Sequence, residues 1–467
     1  MVDQALLGSE RRYSFEGGYP SEQTVRQAYD DADLIRAVEL YRFFFPSVSG
    51  LAMFRGNDSV GLVNNEVFGV LDTKPRHTGF TLNSDTPYGP IPLDLHAGPL
   101  VVELPAGPLL GATIDLHQRW VADMGIPGPD AGNGGRHLLV PPGWQGEIPD
   151  GYFVAQSSSY RVIVGIRSLP VGGDVAGALD RITTIKVHPL DATTQWSEPT
   201  FVDYSDRAQD MTPLAYETSL DFWAALHEIV TDEPQVPGWE SFYGGLAELG
   251  IVAGRPFEPD ERLQQILVRA AELGSGQMRV RAFADRRADR VVWPERQWQW
   301  ASLRPENGTF DGVGYLDVTA REKWFYQAIA ASPAMFRRGA GAGSVYWLGI
   351  RDADGAYLDG GRDYELRVPQ PVPARLFWSI TVYDAETRSQ IDTDQGKAAL
   401  RSLFELSEVR TDEPTRLRFG PEPPADGTDR WIRTAPGRGW FVFFRIYGPD
   451  APAFDGSWSL PDFEATS

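Results

Sequence analysis

Between residues 83 and 137 the chain gathers side chains able to move protons, hold a metal or orient a polar ligand. Asn83, Asp85, Thr86 and Tyr88 offer an amide, a carboxylate, a hydroxyl and a phenol within six residues. With Asp85 as base and Tyr88 as acid they would form a proton-transfer pair, and Asn83 and Thr86 would position substrate. The same residues, ahead of Pro87, also fit an Asx-type turn whose side chains bond the local backbone. Half of the six histidines follow: His96, His117 and His137, separated by 21 and 20 residues. As a strand, Thr113–Trp120 puts Thr113, Asp115, His117 and Arg119 on one face and Ile114, Leu116 and Gln118 on the other. Consecutive antiparallel strands would then gather His96, Asp115, His117 and His137 around a divalent ion with open positions for water or substrate. Arg119 would serve the chemistry there and Trp120 the substrate. The alternative is three separate histidines with ordinary hydrogen bonds.

A second candidate face lies far along the chain. Alternation groups Phe377, Ser379, Thr381 and Tyr383 in one run, and Phe441, Phe443, Arg445 and Tyr447 in another. A guanidinium among aromatics suits a carboxylate or other anion, or else an ion pair with an inward acid, so Tyr383 and Arg445 are candidate substrate contacts. Arg321 and Phe325 are one helical turn apart and could reach the same cavity or simply pack a core.

Other motifs lead nowhere. His227-Glu228 is followed by Thr231, not the second histidine of a zinc-protease helix. Asp352-Ala353-Asp354-Gly355 brings glycine too early for a calcium loop and reads as a hairpin turn. The glycines from Gly339 to Gly343 lack the spacing and the strand–helix frame of a dinucleotide site, so no nucleotide cofactor is indicated. There is no Gly-x-Ser-x-Gly elbow. Asn57 and Asn307 head glycosylation-like triplets that matter only in a secreted protein.

The elements that must position these groups follow a β–α–β plan. Apolar spacing from Glu22 to Phe45 predicts a helix closed by Pro46. Short alternating runs at Leu100–Leu104, Ala112–Trp120, His137–Val140, Tyr152–Gln156 and Arg161–Ile166, divided by Gly/Pro turns, predict an antiparallel sandwich or barrel. Helical periodicity marks Tyr216–Val230, Trp239–Leu249, Asp260–Leu273 and Thr319–Ala331, with a strand or loop excursion over Arg290–Leu316. Strand patterns return at Trp347–Arg351, Tyr364–Val368, Leu376–Tyr383, Arg416–Phe419 and Trp440–Tyr447. No solenoid or propeller repeat is present. The expected fold class is α+β and multidomain: a loose arm over 1–21, a β-rich unit with a leading helix over 22–172, a helical section over 173–338, and an antiparallel jelly-roll-like unit over 339–467.

Composition narrows the function classes. With 43 basic and 64 acidic residues the net charge is −21, which argues against nucleic acid and against anionic membrane surfaces. The four lysines (Lys74, Lys186, Lys323 and Lys397) leave few candidates for Schiff-base chemistry, and the lack of cysteine removes thiolate nucleophiles, disulfides and cysteine-ligated metals. No signal peptide and no membrane-spanning run is evident, so a soluble cytoplasmic protein is expected.

Several blocks together carry a family resemblance. They are Asn83–Gly89; Asp123–Asp130 with the glycines that follow and Pro141-Pro142-Gly143; Phe377–Asp384; Thr387-Arg388-Ser389; Pro436–Trp440; Arg445–Pro449; and Asp455–Trp458. In order and spacing the chain, over about residues 25 to 463, resembles the two-part DUF1254/DUF1214 family of bacterial and fungal proteins. The resemblance implies a β-rich first part, a helical section and a jelly-roll-like last part; many such relatives look exported. It implies no particular reaction. The functional expectation is a small-molecule enzyme, a hydrolase with or without a metal, working in a cavity between the β-rich parts. A non-catalytic module binding carbohydrate or protein, and a metal-free Asp/Tyr acid–base enzyme, are the alternatives. The expected partners are a small-molecule substrate and, through self-association, a second copy of the chain.

Overall fold

The computed structural model of the protein describes residues 13–214, 217–341, 343–408 and 413–466. Residues 1–12 of the expected arm, and the start of the helix expected from Tyr216, lie outside the described residues. A hairpin of β1 (Phe15–Glu16) and β2 (Tyr19–Pro20) leads into α1 (Glu22–Ser59), then β3 (Val67–Val70). Next come β4 (Tyr88–Asp94), β5 (Leu100–Leu104), β6 (Leu109–Asp115), β7 (Trp120–Gly125), β8 (Gly135–Val140), β9 (Phe153–Gln156) and β10 (Arg161–Ser168). After α2 (Val175–Thr183), β11 (Lys186–Pro189) and β12 (Thr200–Asp203) follow α3 (Asp221–Asp232), α4 (Glu240–Glu248) and α5 (Glu261–Phe283). The short β13 (Gln299–Trp300), β14 (Asp311–Gly312) and β15 (Tyr315–Leu316) precede α6 (Val318–Gln327) and α7 (Pro333–Phe336). The chain ends with β16 (Ser344–Gly349), β17 (Tyr364–Val368), β18 (Ala374–Asp384), β19 (Ala399–Arg401), β20 (Thr415–Gly420), β21 (Trp431–Arg433), β22 (Trp440–Pro449) and β23 (Glu464–Ala465). The fold is α+β, β-rich at both ends and helical between. Among the described residues, no helix is long and apolar enough to cross a membrane.

Two compact units form, each from separate stretches: Met1–Phe44 with Leu214–Gln277, and Phe45–Pro213 with Met278–Ser467. In the first, the early turns of α1 pack on α3, α4 and the start of α5. Phe43 stacks on Phe242 with centroids 3.6 Å apart, Tyr41 donates its hydroxyl to the Glu217 carbonyl, and Trp223 Nε1 donates to the Leu267 carbonyl.

The second unit carries four larger sheets, explained by period-2 patterning. Strands β4-β10-β6-β7 form one sheet and β11-β5-β8-β9 another. Ile91, Leu93, Val162, Val164 and Ile166 of the first face Leu100, Val102, Leu104 and Leu139 of the second across one core. Each such burial contributes about 1.5–3 kcal/mol. Strand β4 contains Pro90 and Pro92, which fits its edge position, where one side of the strand needs no ladder donors. The pairs β8–β9 and β20–β21 run parallel, a departure from purely antiparallel sheets. In the C-terminal part, β13-β16-β22-β18-β19 and β21-β20-β17-β23 enclose a core that includes Trp347, Ile380, Val382, Val442 and Phe444 from one sheet and Leu366, Leu417 and Phe419 from the other.

Two local expectations fail for clear reasons. Helix α1 does not stop at Pro46 but runs on to Ser59. Proline in a helix interior costs about 3 kcal/mol, but Val48, Leu51, Ala52, Met53 and Phe54 beyond it are all buried, and their burial outweighs that cost. The strand expected over Thr113–Trp120 is a hairpin: β6 ends at Asp115, Gln118 adopts φ 58° and β7 starts at Trp120. Asp115 Oδ1 accepts from the Arg119 N–H at 2.8 Å, and the Arg119 carbonyl accepts from the Asp115 N–H at 3.0 Å, so the carboxylate locks the turn.

Candidate functional site

The faces of these sheets that avoid the cores meet around a cavity of about 230 Å³ inside the second unit. One wall comes from β4, β10, β6 and β7, where Gly165 pairs with Ala112 and leaves space. The facing wall comes from β16 and β22. Register places Ser344 beside Tyr447 and Tyr346 beside Arg445, while β18 sets Phe377 beside Tyr447 and Ser379 beside Arg445. The two alternating faces read from the sequence are thus one surface. Met53 of α1 and Leu82 add apolar lining, and the half-exposed Lys74 marks the opening to solvent.

Two guanidiniums make this surface cationic. Arg445, 1% exposed, donates to Thr381 Oγ1 (3.0 Å), the Tyr383 hydroxyl (2.8 Å) and the Thr81 carbonyl (3.1 Å), and its Nε–H has no partner among the described residues. Arg167 donates to Thr86 Oγ1 (2.9 Å), Asn83 Oδ1 (3.2 Å) and the Tyr447 hydroxyl (3.1 Å), and lies 5.0 Å from the centroids of both Tyr88 and Tyr447. Burial pulls both guanidiniums down, but the surrounding phenols and Asp85 outweigh it and raise them. Burial also raises the phenols of Tyr88, Tyr383 and Tyr447, which stay protonated at neutral pH. Behind this wall Asp85, fully buried, accepts from Ser379 Oγ and the Tyr447 hydroxyl at 2.9 Å each through Oδ2, and Oδ1 has no partner among the described residues. Two guanidiniums against one carboxylate leave a net positive pole.

The backbone at Thr81 shows how firmly the pole is held. Its φ of 49° is costly for a β-branched residue. The Arg388 carbonyl accepts its N–H at 2.8 Å, and its own carbonyl accepts from Arg445 and Tyr383.

Of the sequence candidates, Asn83, Asp85, Thr86, Tyr88, Tyr383 and Arg445 come together here. The Asn83–Gly89 block forms the Asx turn, with Asn83 Oδ1 accepting from the Asp85 N–H, and the same oxygen accepts from Arg167. Tyr88 lines the cavity, but the phenol on Asp85 is Tyr447. Asp115, His117, Arg119, Trp120 and Arg321 are not on the cavity wall. His117 Nδ1 pairs with Ser47 Oγ at 2.9 Å; burial, with Arg119, Arg321 and Arg161 nearby, lowers it to about 3. Burial raises Asp115 to about 6 and pulls Arg321 down to about 9.

The expected metal set does not assemble. His96 is exposed, paired with Asp94 at 2.6 Å and stacked on Tyr160. His137 is buried on β8, in the other sheet, with Nε2 3.3 Å from Asp130 Oδ1. The hairpin at 116–119 removes the strand that was to align them, and consecutive strands here often belong to different sheets. Among the described residues, no cluster of three or more metal-ligating side chains is found.

The structure adds residues the sequence did not single out. Arg167 stands one position beyond an apolar alternating run; a charge in phase with such a run is the signal that marks it. Asp123 lines the cavity from β7, hydrogen-bonded by Ser332, and burial raises it to about 6. His77 also lines the cavity.

Residues 66–189 match DUF1254, described as a protein of unknown function, and residues 343–451 match DUF1214, with the same description. No curated protein matches the chain. Among solved structures it is similar to the VPA0106 protein from Vibrio parahaemolyticus, at 16% identity and a TM-score of 0.56, over 93% of this chain and 100% of that one. An uncharacterised protein from Burkholderia cenocepacia aligns at 12% identity and a TM-score of 0.40, over 94% of this chain and 96% of that one. The first likeness carries the fold.

Proposed function

We propose, for a chain that belongs to the two-part DUF1254/DUF1214 family, an enzyme that binds a small, largely apolar organic anion in the cavity and works on it by acid–base chemistry without a metal. The observation that carries this reading is the pair Arg167 and Arg445: charged, the first half-buried and the second fully buried, outnumbering the carboxylate of Asp85 and opening on a mainly apolar cavity. Such an arrangement stabilises a carboxylate or a developing oxyanion far more than water-exposed charges would. Asp123 supplies a base on the same cavity, and an affinity for protons near pH 6 suits a group that must accept one at neutral pH. Hydrolysis of a small ester or amide is the reaction class we assign first: Asp123 would deprotonate the attacking water and the cationic pole would stabilise the oxyanion.

Calorimetric titration with small carboxylates and their uncharged amides tests the binding step. A charged hydrogen bond is worth about 1.5–3 kcal/mol, so Arg445→Gln should weaken carboxylate binding roughly ten- to hundredfold while the amides bind weakly throughout. Equal affinity for acid and amide, or no effect of Arg445→Gln, refutes the reading. A second reading, a binding module without turnover, is favoured by one observation: Asp85 sits behind the wall and spends its hydrogen bonds on the fold. Binding that persists with no hydrolysis of small esters would select it.

A further inference from the structure

The cavity has a second polar patch, and among the described residues no hydrogen bond joins it to the cationic pole. His77 is 4% exposed and lines the cavity, yet among the described residues neither ring nitrogen has a hydrogen-bond partner. Its ring lies across Tyr204 with centroids 5.2 Å apart. Beside it, Gln209 Nε2 donates to Asn57 Oδ1 at 2.8 Å, and Tyr204, Gln209 and Asn57 all reach the cavity. The backbone here is pinned: the Gln209 carbonyl accepts the Thr78 N–H, and the Thr78 carbonyl accepts the Met211 N–H, at 3.0 Å each. A leucine would fill this position without leaving a buried donor and a buried acceptor unmet, so the two ring nitrogens cost the fold stability that the packing on Tyr204 only partly returns. Burial holds the ring below its ordinary pKa; of the charged neighbours, Asp72 opposes this and Arg76 adds to it. A neutral imidazole presents one donor and one acceptor, and a hydroxyl satisfies either nitrogen.

Resting on the cationic-pole reading above, we propose that the cavity's ligand is a short hydroxy acid, the acid that the hydrolysis assigned above would release, its carboxylate held at Arg167 and Arg445 and its hydroxyl hydrogen-bonded to His77. A cavity of about 230 Å³ has room for about eight water-sized groups at ~30 Å³ each, which fits a molecule the size of 5-hydroxypentanoate. The polar wall then selects the ligand, because leaving a site's buried polar group unpaired penalises any analogue that lacks the matching group.

Titration calorimetry with 5-hydroxypentanoate and pentanoate decides the matter. The wild-type protein should bind the hydroxy acid about tenfold more tightly, His77→Leu should bring the ratio to about one, and His77→Gln, which still donates and accepts, should keep a preference. Equal affinities in the wild type, or an undiminished ratio in His77→Leu, overturn the assignment. If His77→Leu does not fold, the wild-type ratio and His77→Gln still decide. Pentanoate binding that depends on Arg445 but shows no hydroxyl preference sinks only this inference. If neither acid binds, or binding ignores Arg445→Gln, the cationic-pole reading fails and takes this one with it.

Discussion

Asp85→Asn should destabilise the second unit yet strengthen its hold on anions. Asp85 is the acid that compensates Arg167 and Arg445, with no exposure to solvent. Asparagine keeps the shape, and its carbonyl can still accept from Ser379 and Tyr447, so the main loss is charge. Stranding buried guanidiniums without their counter-charge costs about 3–5 kcal/mol. At an unfolding entropy of about 2.1 cal/mol/K per residue over about 360 residues, that lowers the midpoint by about 4–7 °C. Differential scanning calorimetry in chloride buffer measures it. Adding a small carboxylate should then raise the midpoint of Asp85→Asn more than that of wild type, since stabilisation grows as RT ln(1 + [L]/Kd) and the uncompensated pole binds the anion more tightly. A variant as stable as wild type would refute the idea that Asp85 is the compensating charge. A destabilised variant with no added response to carboxylate would refute the idea that the pole faces a ligand.

Two further perturbations probe the second unit. Because Asp123 is raised to about 6 from 3.8, the folded state holds its proton more tightly than the unfolded chain does. That contribution is complete below pH 4 and is lost as pH rises through 6, where the ionised carboxylate costs on the order of 2–3 kcal/mol. Asp123→Asn should therefore match wild type in urea unfolding near pH 4 and exceed it by that amount at pH 8, while losing turnover; a pH-independent difference contradicts the assignment. Gly50→Ala on α1 would ordinarily gain about 0.5–1 kcal/mol, but here the added methyl would run into the Leu116 carbonyl of the β6–β7 turn. A net loss of about 1–3 kcal/mol is expected, and a raised melting temperature would show that the helix and the turn are not in contact.

Much of the architecture was legible because sheet patterning is local. Leu100–Leu104 and Tyr364–Val368 were read with their observed bounds, and the alternation of Phe377–Tyr383 and Phe441–Tyr447 gave the correct face on each strand. The failures share one cause. Pro46 and the Asp115–Arg119 hairpin are places where tertiary burial or a single side chain overrode the local pattern, and the metal set rested on that second misreading.

The sequence by itself determined the family and the α+β order, since residue types and alternation are properties of neighbouring positions. Only the tertiary structure decided which groups share a cavity. Asp85 and Tyr447 are 362 positions apart and Arg167 and Tyr447 are 280 apart, and contacts at that separation depend on which sheets pack face to face. Packing placed Tyr447 rather than Tyr88 on Asp85, separated three histidines that spacing had suggested were neighbours, and left His77 lining the cavity with its ring nitrogens unpartnered among the described residues.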